Sequence, residues 1–360
     1  MVLKRVSLPG ALGVNYNESL VWINHDELRR MGTKWVRGFV DMHRLHNGSP
    51  DQDPNVKALL DASRAGFNVI LSLKWNYSQV GFPARDSPGR AAELARLRHL
   101  LPFVLGKVNV LVIGNEPFIE SRKTGGDEHL NNFYETIADV VIDCHRSCGA
   151  EAAHTRLFMG ALNRLDLPVW RTPAAERMLA FIASRPELEG IDLHLHIPFI
   201  EGHRAALDWA LPRIRPDQTF LATEFSLIWH WKNHMGDVAS SHYREKYGLP
   251  PDTTVLDVIG RAIADPMPYA QWEEFLSHEP WYMARRHFLA NAMRIYRSTG
   301  RLEVATYGFC PMRMRKQPLG ATEPPWMLNG LLAPPTVRRD PDGSVHENFP
   351  WADEFRRLQA

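Results

Sequence analysis

Apolar and polar positions along this chain fall into blocks rather than strict alternation. Short apolar or β-branched runs occur at 12–16, 35–40, 68–73, 108–113, 157–162, 191–196, 219–225 and 304–309. Runs of this kind mark parallel strands that are buried on both faces. Helical segments lie between them. Ser87-Pro88 and Thr172-Pro173 each place a capping hydroxyl and a first-turn proline before an amphipathic stretch. Phe133, Ile137, Val141, Cys144 and Cys148 recur at the spacing of one helix face packed on a sheet. Residues 26–31 read as a helix closed by Gly32, and 348–358 as a short terminal helix. Strands alternating with helices imply a parallel sheet. Eight such units favour a closed (β/α)8 barrel, the TIM barrel, over an open doubly wound sheet. No G-x-G-x-x-G follows the first run, which also weighs against a dinucleotide fold.

The spacing is even except between the seventh and eighth runs. Residues 229–280 far exceed an ordinary connection and are rich in Trp, Tyr and Pro. They are expected to form an insertion, either a lid over the barrel mouth or a peripheral subdomain, with residues 1–360 as one catalytic barrel. The 360 residues leave about a hundred beyond the ~250 of a plain barrel. Lys and Arg number 42 against 41 Asp and Glu, so no polyanionic partner is suggested, and no basic stripe points to nucleic acid. Three cysteines argue against a disulfide framework, and Cys144 and Cys148 read as buried thiols. The first fifteen residues lack the apolar run of a leader, and no stretch is long and apolar enough to span a membrane. These features predict a cytoplasmic protein without a membrane partner, unless a leader has been removed.

In such a barrel, active sites form at the C-terminal ends of the strands. The fourth run, VNVLVIGNEP, ends in Asn115 and Glu116; the seventh, TFLATEF, ends near Glu224. Two glutamates closing strands four and seven stand opposite one another across the mouth. Two carboxyl groups ~5–5.5 Å apart suit glycoside hydrolysis with retention, whereas a gap beyond about 7 Å would leave room for the water of inversion. A structural alternative has Glu116 capping a helix and Glu224 in a buried salt bridge with Arg37.

Asn-Glu ending strand four, with a glutamate ending strand seven, resembles clan A of the retaining glycoside hydrolases, loosely its family 39 and family 5 enzymes. The likeness covers nearly the whole chain in topology but only short motifs in residues. It implies Glu116 as acid/base, Glu224 as nucleophile and Asn115 as a ligand of the sugar 2-hydroxyl. It implies Arg37, in WVRGF, beside the nucleophile, and His194 and His196, in IDLHLHIPF, near both carboxylates. Period two points the two histidines to the same side. An anionic Glu224 requires a lowered pKa, and an acid at Glu116 requires one raised by burial and by the charge of Glu224. The implied substrate is an oligosaccharide or polysaccharide with a β-glycosidic bond, and the implied chemistry needs no cofactor.

Aromatic residues near strand ends are the candidates for stacking on sugar rings: Trp75 in SLKWN, Trp229 and Trp231 after the nucleophile, and Trp326 in PPWMLNGLL. Trp75 could equally be core. Many clan-A enzymes carry a tryptophan at the end of strand eight. TYGFCPM offers Phe309 or Cys310 there, leaving Trp326 to swing back. Arg313, Arg315 and Lys316 read as a solvated basic loop or a grip for an acidic sugar. Two other functions stay open. A metal-dependent hydrolase would use His194 and His196 with His203 and Glu201, although the first strand offers Asn15, Tyr16 and Asn17 rather than H-x-H. A non-catalytic sugar-binding barrel would not need both carboxylates.

Overall fold

The computed structural model describes residues 10–45, 48–123 and 125–359. The first nine residues, part of the stretch read above for a leader, lie outside the described residues. Eight parallel strands close into one barrel in chain order. They are β1 (Ala11–Asn15), β2 (Trp35–Asp41), β3 (Asn68–Lys74), β4 (Val110–Ile113), β5 (Arg156–Asn163), β6 (Leu188–His196), β7 (Thr219–Ser226) and β8 (Leu302–Gly308). Every run read from the sequence is one of them, displaced at its ends by up to three residues. The helix signals hold for local reasons. The Ser87 side chain accepts from Arg90 N ahead of helix Pro88–Val104, and Thr172 accepts from Ala175 N ahead of helix Pro173–Ser184. Among the described residues no helix is long and apolar enough to cross a membrane.

The barrel interior explains why the chemistry sits at one end. Trp35, Ile70, Val110, Val112, Phe158, Leu221 and Val304 form a buried apolar cluster separate from the main core. They come from strands all around the barrel, and only its inside brings them together. Two residues further along the same strands, on the same face, stand Arg37, Ser72, Thr223 and Thr306, all fully buried. The filling therefore turns from apolar to polar toward the C-terminal rim.

Two irregularities aim side chains at that rim. Between Asp192 and His194 of β6, the partner positions on β7 run from Leu221 to Glu224, one residue more. The same happens in β5, where Met159 to Leu162 opposes Ile191 to Leu193. Such bulges shift a strand's inward-facing set by one position. Beyond them Asn163, His194 and Glu224 lie side by side in register on β5, β6 and β7. Where β4 meets β5, Gly114 has a φ of 117°, and a Cβ there would lie 2.0 Å from the Gly160 carbonyl oxygen. Only glycine permits that approach. Glu116 follows with a φ of 46°, a left-handed conformation that a glutamate keeps only where its surroundings hold it.

The connection from β7 to β8 holds six helices, beginning with Ile228–Asn233, Ser241–Lys246, Val255–Ala264 and Tyr269–Ser277. Its aromatics do not gather over the mouth. Trp231, Tyr243 and Trp272 are fully buried, and the Trp272 indole donates to Asn348 near the C-terminal helix Trp351–Arg357. Within 229–280, Trp229 alone among the described residues lines the central cavity. The cysteine stripe also needs correction: helix Leu130–Ser147 ends before Cys148, which is exposed, and Cys144 is half-buried.

Candidate active site

Glu224 enters the mouth from the end of β7 and is almost fully enclosed. Arg37 Nη1 donates to its Oε1 at 2.6 Å, within the reach expected from sequence. Asn17 Nδ2 donates to Oε2 at 2.9 Å, and His196 Nε2 stands 3.3 Å from the same oxygen. Arg37 is itself fixed by Ser72, Asn15 and Asn115. Burial by itself raises the Glu224 carboxyl. The charges of His194 and Arg37 and the bond from His196 outweigh it and hold the group well below the usual carboxylate range. Glu224 is an anion aimed into the cavity.

Glu116 stands opposite. Its Oε1 accepts from Asn163 Nδ2 at 2.7 Å and lies 3.1 Å from His194 Nδ1. Burial and the charge of Glu224 push this carboxyl up, as expected from sequence. The hydrogen bond and charge of His194 prevail, and the net shift is downward. His194 moves the opposite way: burial lowers it, and the charges of Glu224, Glu116 and Asp192 raise it further. The expectation of a raised Glu116 is therefore corrected. Near neutrality the proton belongs to the His194–Glu116 pair, with His194 the stronger holder.

The far side of His194 sets its tautomer. Nε2 lies 3.1 Å from Thr223 Oγ1, and that hydroxyl lies 2.6 Å from Asp192 Oδ2. The Thr223 hydroxyl donates its hydrogen to Asp192 and so offers a lone pair to Nε2–H. Nδ1 is then the nitrogen that exchanges a proton with Glu116.

The carboxylates open into a cavity of about 450 Å³, a size that suits a small-molecule site. Asn115, Glu116, His194, His196, Glu224, Trp229 and Trp326 all line it. Trp326 stands edge-on to His196, 5.1 Å between ring centres, in the region where a strand-eight tryptophan was sought; Phe309 and Cys310 are buried. Arg37 lies fully buried beneath Glu224 and does not line the cavity itself; it acts on the cavity through Glu224 and Asn115. Trp75 and Trp231 do not reach it. The Trp75 indole donates to Glu93 inside the main core, and Trp231 packs against Trp281, Tyr282 and Trp351. Arg313 is paired with Glu27 and Arg315 with Glu323, so neither is a free grip for an acidic sugar.

Several lining residues carried no role in the sequence reading. Lys74, at the end of β3, pairs with Glu120 at 2.7 Å and lies over the Phe39 ring. Burial pushes the Glu120 carboxyl up to about 7, against the pull of Lys74. Asn163 closes β5 as Asn115 follows β4, and the same rule of a polar residue ending an apolar run would have found it. Among the described residues, its Oδ1 and the Trp229 Nε1 are buried without a partner.

Glu116, His194, His196 and Glu224 each bring one donor atom within 4.8 Å of the others, a set that could also hold a metal ion. The other proposed ligands are elsewhere. His203 is buried against the Tyr296 hydroxyl, and Glu201 is exposed on helix Ile200–Ala210.

No protein-family model matches the sequence, and no curated protein matches it. Solved structures do match in shape. A thermostable mutant of a xylanase from Cellvibrio japonicus aligns with a TM-score of 0.55 at 14% identity, over 86% of this chain and 90% of that one. A GH5-4 broad specificity endoglucanase from Clostridium acetobutylicum aligns with a TM-score of 0.54 at 10% identity, over 97% and 96%. A GH10 endoxylanase retrieved from a sugarcane soil metagenome aligns with a TM-score of 0.52 at 11% identity, over 98% and 97%. At these identities the likeness is one of architecture, and it agrees with the strand order: the chain is a (β/α)8 TIM barrel of the kind on which these xylanases and endoglucanases are built.

Proposed function

We propose that this protein is a retaining glycoside hydrolase, with Glu224 as nucleophile and Glu116 as acid/base. One observation carries the reading: carboxylate oxygens of Glu116 and Glu224 approach within 4.8 Å across the cavity. An approach this close fits the short carboxyl spacing of direct attack, ~5–5.5 Å, and not the wider ~6.5–9.5 Å spacing of inverting enzymes. The unpartnered Asn163 Oδ1 and Trp229 Nε1 support a polyhydroxylated ligand, because a buried polar atom left unpaired is costly until a hydroxyl meets it. Asn115 Nδ2 spends one hydrogen on Glu120 and keeps another for a substrate hydroxyl.

The steps follow from the charges. Glu224 attacks the anomeric carbon as the C–O bond breaks, and the leaving oxygen takes the proton held by the His194–Glu116 pair. Glu224 becomes a neutral ester. Its charge is the largest of the effects that raise His194, so esterification lowers the proton affinity of the pair. The pair, having lost its proton, then accepts one from water, which attacks the ester and frees Glu224. A 2-fluoro sugar with a reactive leaving group should label Glu224 and no other residue, read by peptide mass spectrometry. Labelling of Glu116 would sink the assignment.

The four-residue donor set supports a second reading, a metal-dependent hydrolase. Loss of all activity with a chelator, restored by a divalent metal, would favour it over the first.

The pair also makes a pH prediction. Its proton must be present for cleavage, and His194 is raised above 6.5, so the basic limb of kcat/KM should lie above pH 6.5. Glu224 must be ionised and is held well below 4.5, so the acid limb should lie below pH 4.5. Thr223→Val keeps the volume but removes the acceptor of Nε2–H. The imidazolium is destabilised, and the basic limb should move down by about one pH unit. An unmoved limb in a folded variant would show that Thr223 does not act on His194.

A further inference from the structure

Outside the residues that line the cavity, the helices Ser241–Lys246 and Tyr269–Ser277 meet at a cluster of side chains that the hydrolytic reading does not use. Glu274 and His278 are four residues apart, one helical turn, and therefore lie on one face. His242 comes from the other helix, and its ring stacks on that of His278 at 3.8 Å and 8°. His242, Glu274 and His278 each place one donor atom within 4.8 Å of the others.

The hydrogen bonds prepare two of the donors. His278 Nδ1 lies 2.9 Å from the Glu274 carbonyl oxygen. A carbonyl can only accept, so Nδ1 carries the hydrogen and Nε2 keeps its lone pair, the tautomer a metal requires. His242 Nε2 lies 2.6 Å from Glu274 Oε1, with a proton between them. Glu274 turns one carboxylate oxygen to His242 and the other to Lys246, so both oxygens face this cluster. Two imidazoles and one carboxylate, with water in the fourth place, form a tetrahedral set that suits zinc and not magnesium.

We infer that His242, Glu274 and His278 form a zinc-class transition-metal site that clips these two helices together. The ion replaces the proton between His242 Nε2 and Glu274 Oε1, so binding strengthens as pH rises. Zn–N and Zn–O bonds of about 2.0 Å place ligand atoms roughly 3.3 Å apart, so His242 Nε2 and Glu274 Oε1 open from 2.6 Å and the stacked rings of His242 and His278 turn apart to face one ion. Both histidines are exposed and can make that turn. Lys246 pairs with Glu274 and must give way, which costs little for an exposed ion pair. The clip lies in the connection that also presents Trp229 to the cavity, so its effect is on the stability of that connection and not on the reacting atoms.

The test is equilibrium dialysis of the whole protein against zinc chloride at pH 7.5, with bound zinc counted by elemental analysis. The four active-site donors could hold a separate ion, so the comparison is between variants. His242→Ala and His278→Ala should each retain one zinc fewer than the unmutated protein. Zinc should raise the thermal midpoint of the unmutated protein by several degrees more than that of either variant, and magnesium should do neither. Equal zinc content in all three proteins would overturn the site, as would no retained zinc or an equal response to magnesium. Chelator treatment that abolishes hydrolysis equally in His242→Ala would bear on the active-site donors alone, which keeps the two questions apart.

Discussion

Glu224→Ala should reduce turnover by about 10⁴-fold or more, equivalent to roughly 5 kcal/mol in the barrier. The side chain it removes is the attacking atom itself, so leaving-group quality cannot compensate. The surroundings point the same way. Arg37, Asn17 and His196 all direct polar hydrogens or ring nitrogens at this carboxylate. With the carboxylate gone, Arg37 is a buried cation without its partner, and stability should fall by up to about 3–5 kcal/mol. Circular dichroism must therefore establish that the variant is folded before its rate is read. Added azide can occupy the vacated space and attack the anomeric carbon directly. The product should then be the glycosyl azide of inverted configuration. A product of retained configuration would move the nucleophile elsewhere, with Glu116 as the first candidate.

Glu116→Ala should behave differently, and the difference identifies its role. On substrates with poor leaving groups kcat/KM should fall by about 10²–10⁴-fold, the usual weight of a general acid. A dinitrophenyl glycoside needs little protonation, so its first step should survive. Water is then no longer activated, and the glycosyl-enzyme should accumulate as a burst of released dinitrophenolate followed by a slow phase. Azide needs no base. It should speed the slow phase and give a β-glycosyl azide from a β-configured substrate, with configuration retained. His194 remains in this variant, but its Nδ1 stands 3.1 Å behind the place of the lost carboxylate and so does not reach the leaving oxygen directly. If the variant were as slow on the dinitrophenyl substrate as on poor ones, with no burst, Glu116 would not be the acid/base. These two sets of outcomes also exclude a barrel that merely binds sugar, since neither variant would then alter a rate.

Much of this site could be read from one dimension because barrels place chemistry by a local rule. A polar residue closing a buried apolar run is delivered to the rim. Asn115, Glu116, His194, His196 and Glu224 all satisfy that rule, and all five line the cavity. Arg37 is implied by the family resemblance, and its placement has a local reason: it shares a face with Trp35, which fills the barrel below it. The tryptophans were less legible. Trp75 and Trp231 are near strand ends as Trp229 is, but indole rings are apolar enough for core or cavity alike. Their destination depends on which neighbours approach. Glu93 takes the Trp75 indole hydrogen, and Trp351, more than a hundred residues downstream, closes over Trp231.

What the sequence by itself determined is therefore the barrel, its strand order and the two carboxylates at its rim. Burial on both faces, helix caps and strand period are properties of neighbouring residues and need no knowledge of distant ones. What only the tertiary structure decided depends on through-space sums. The bulge in β7 turns Glu224 inward beside Thr223, and no residue type announces it. The bulge in β5 brings Asn163 onto Glu116. The proton balance of Glu116 is the clearest case. Burial and Glu224 alone predict a raised carboxyl, and the sign reverses because His194 stands 3.1 Å away. A charge interaction falls off with distance in space, not along the chain, so its sign could not be known until the strands were in register.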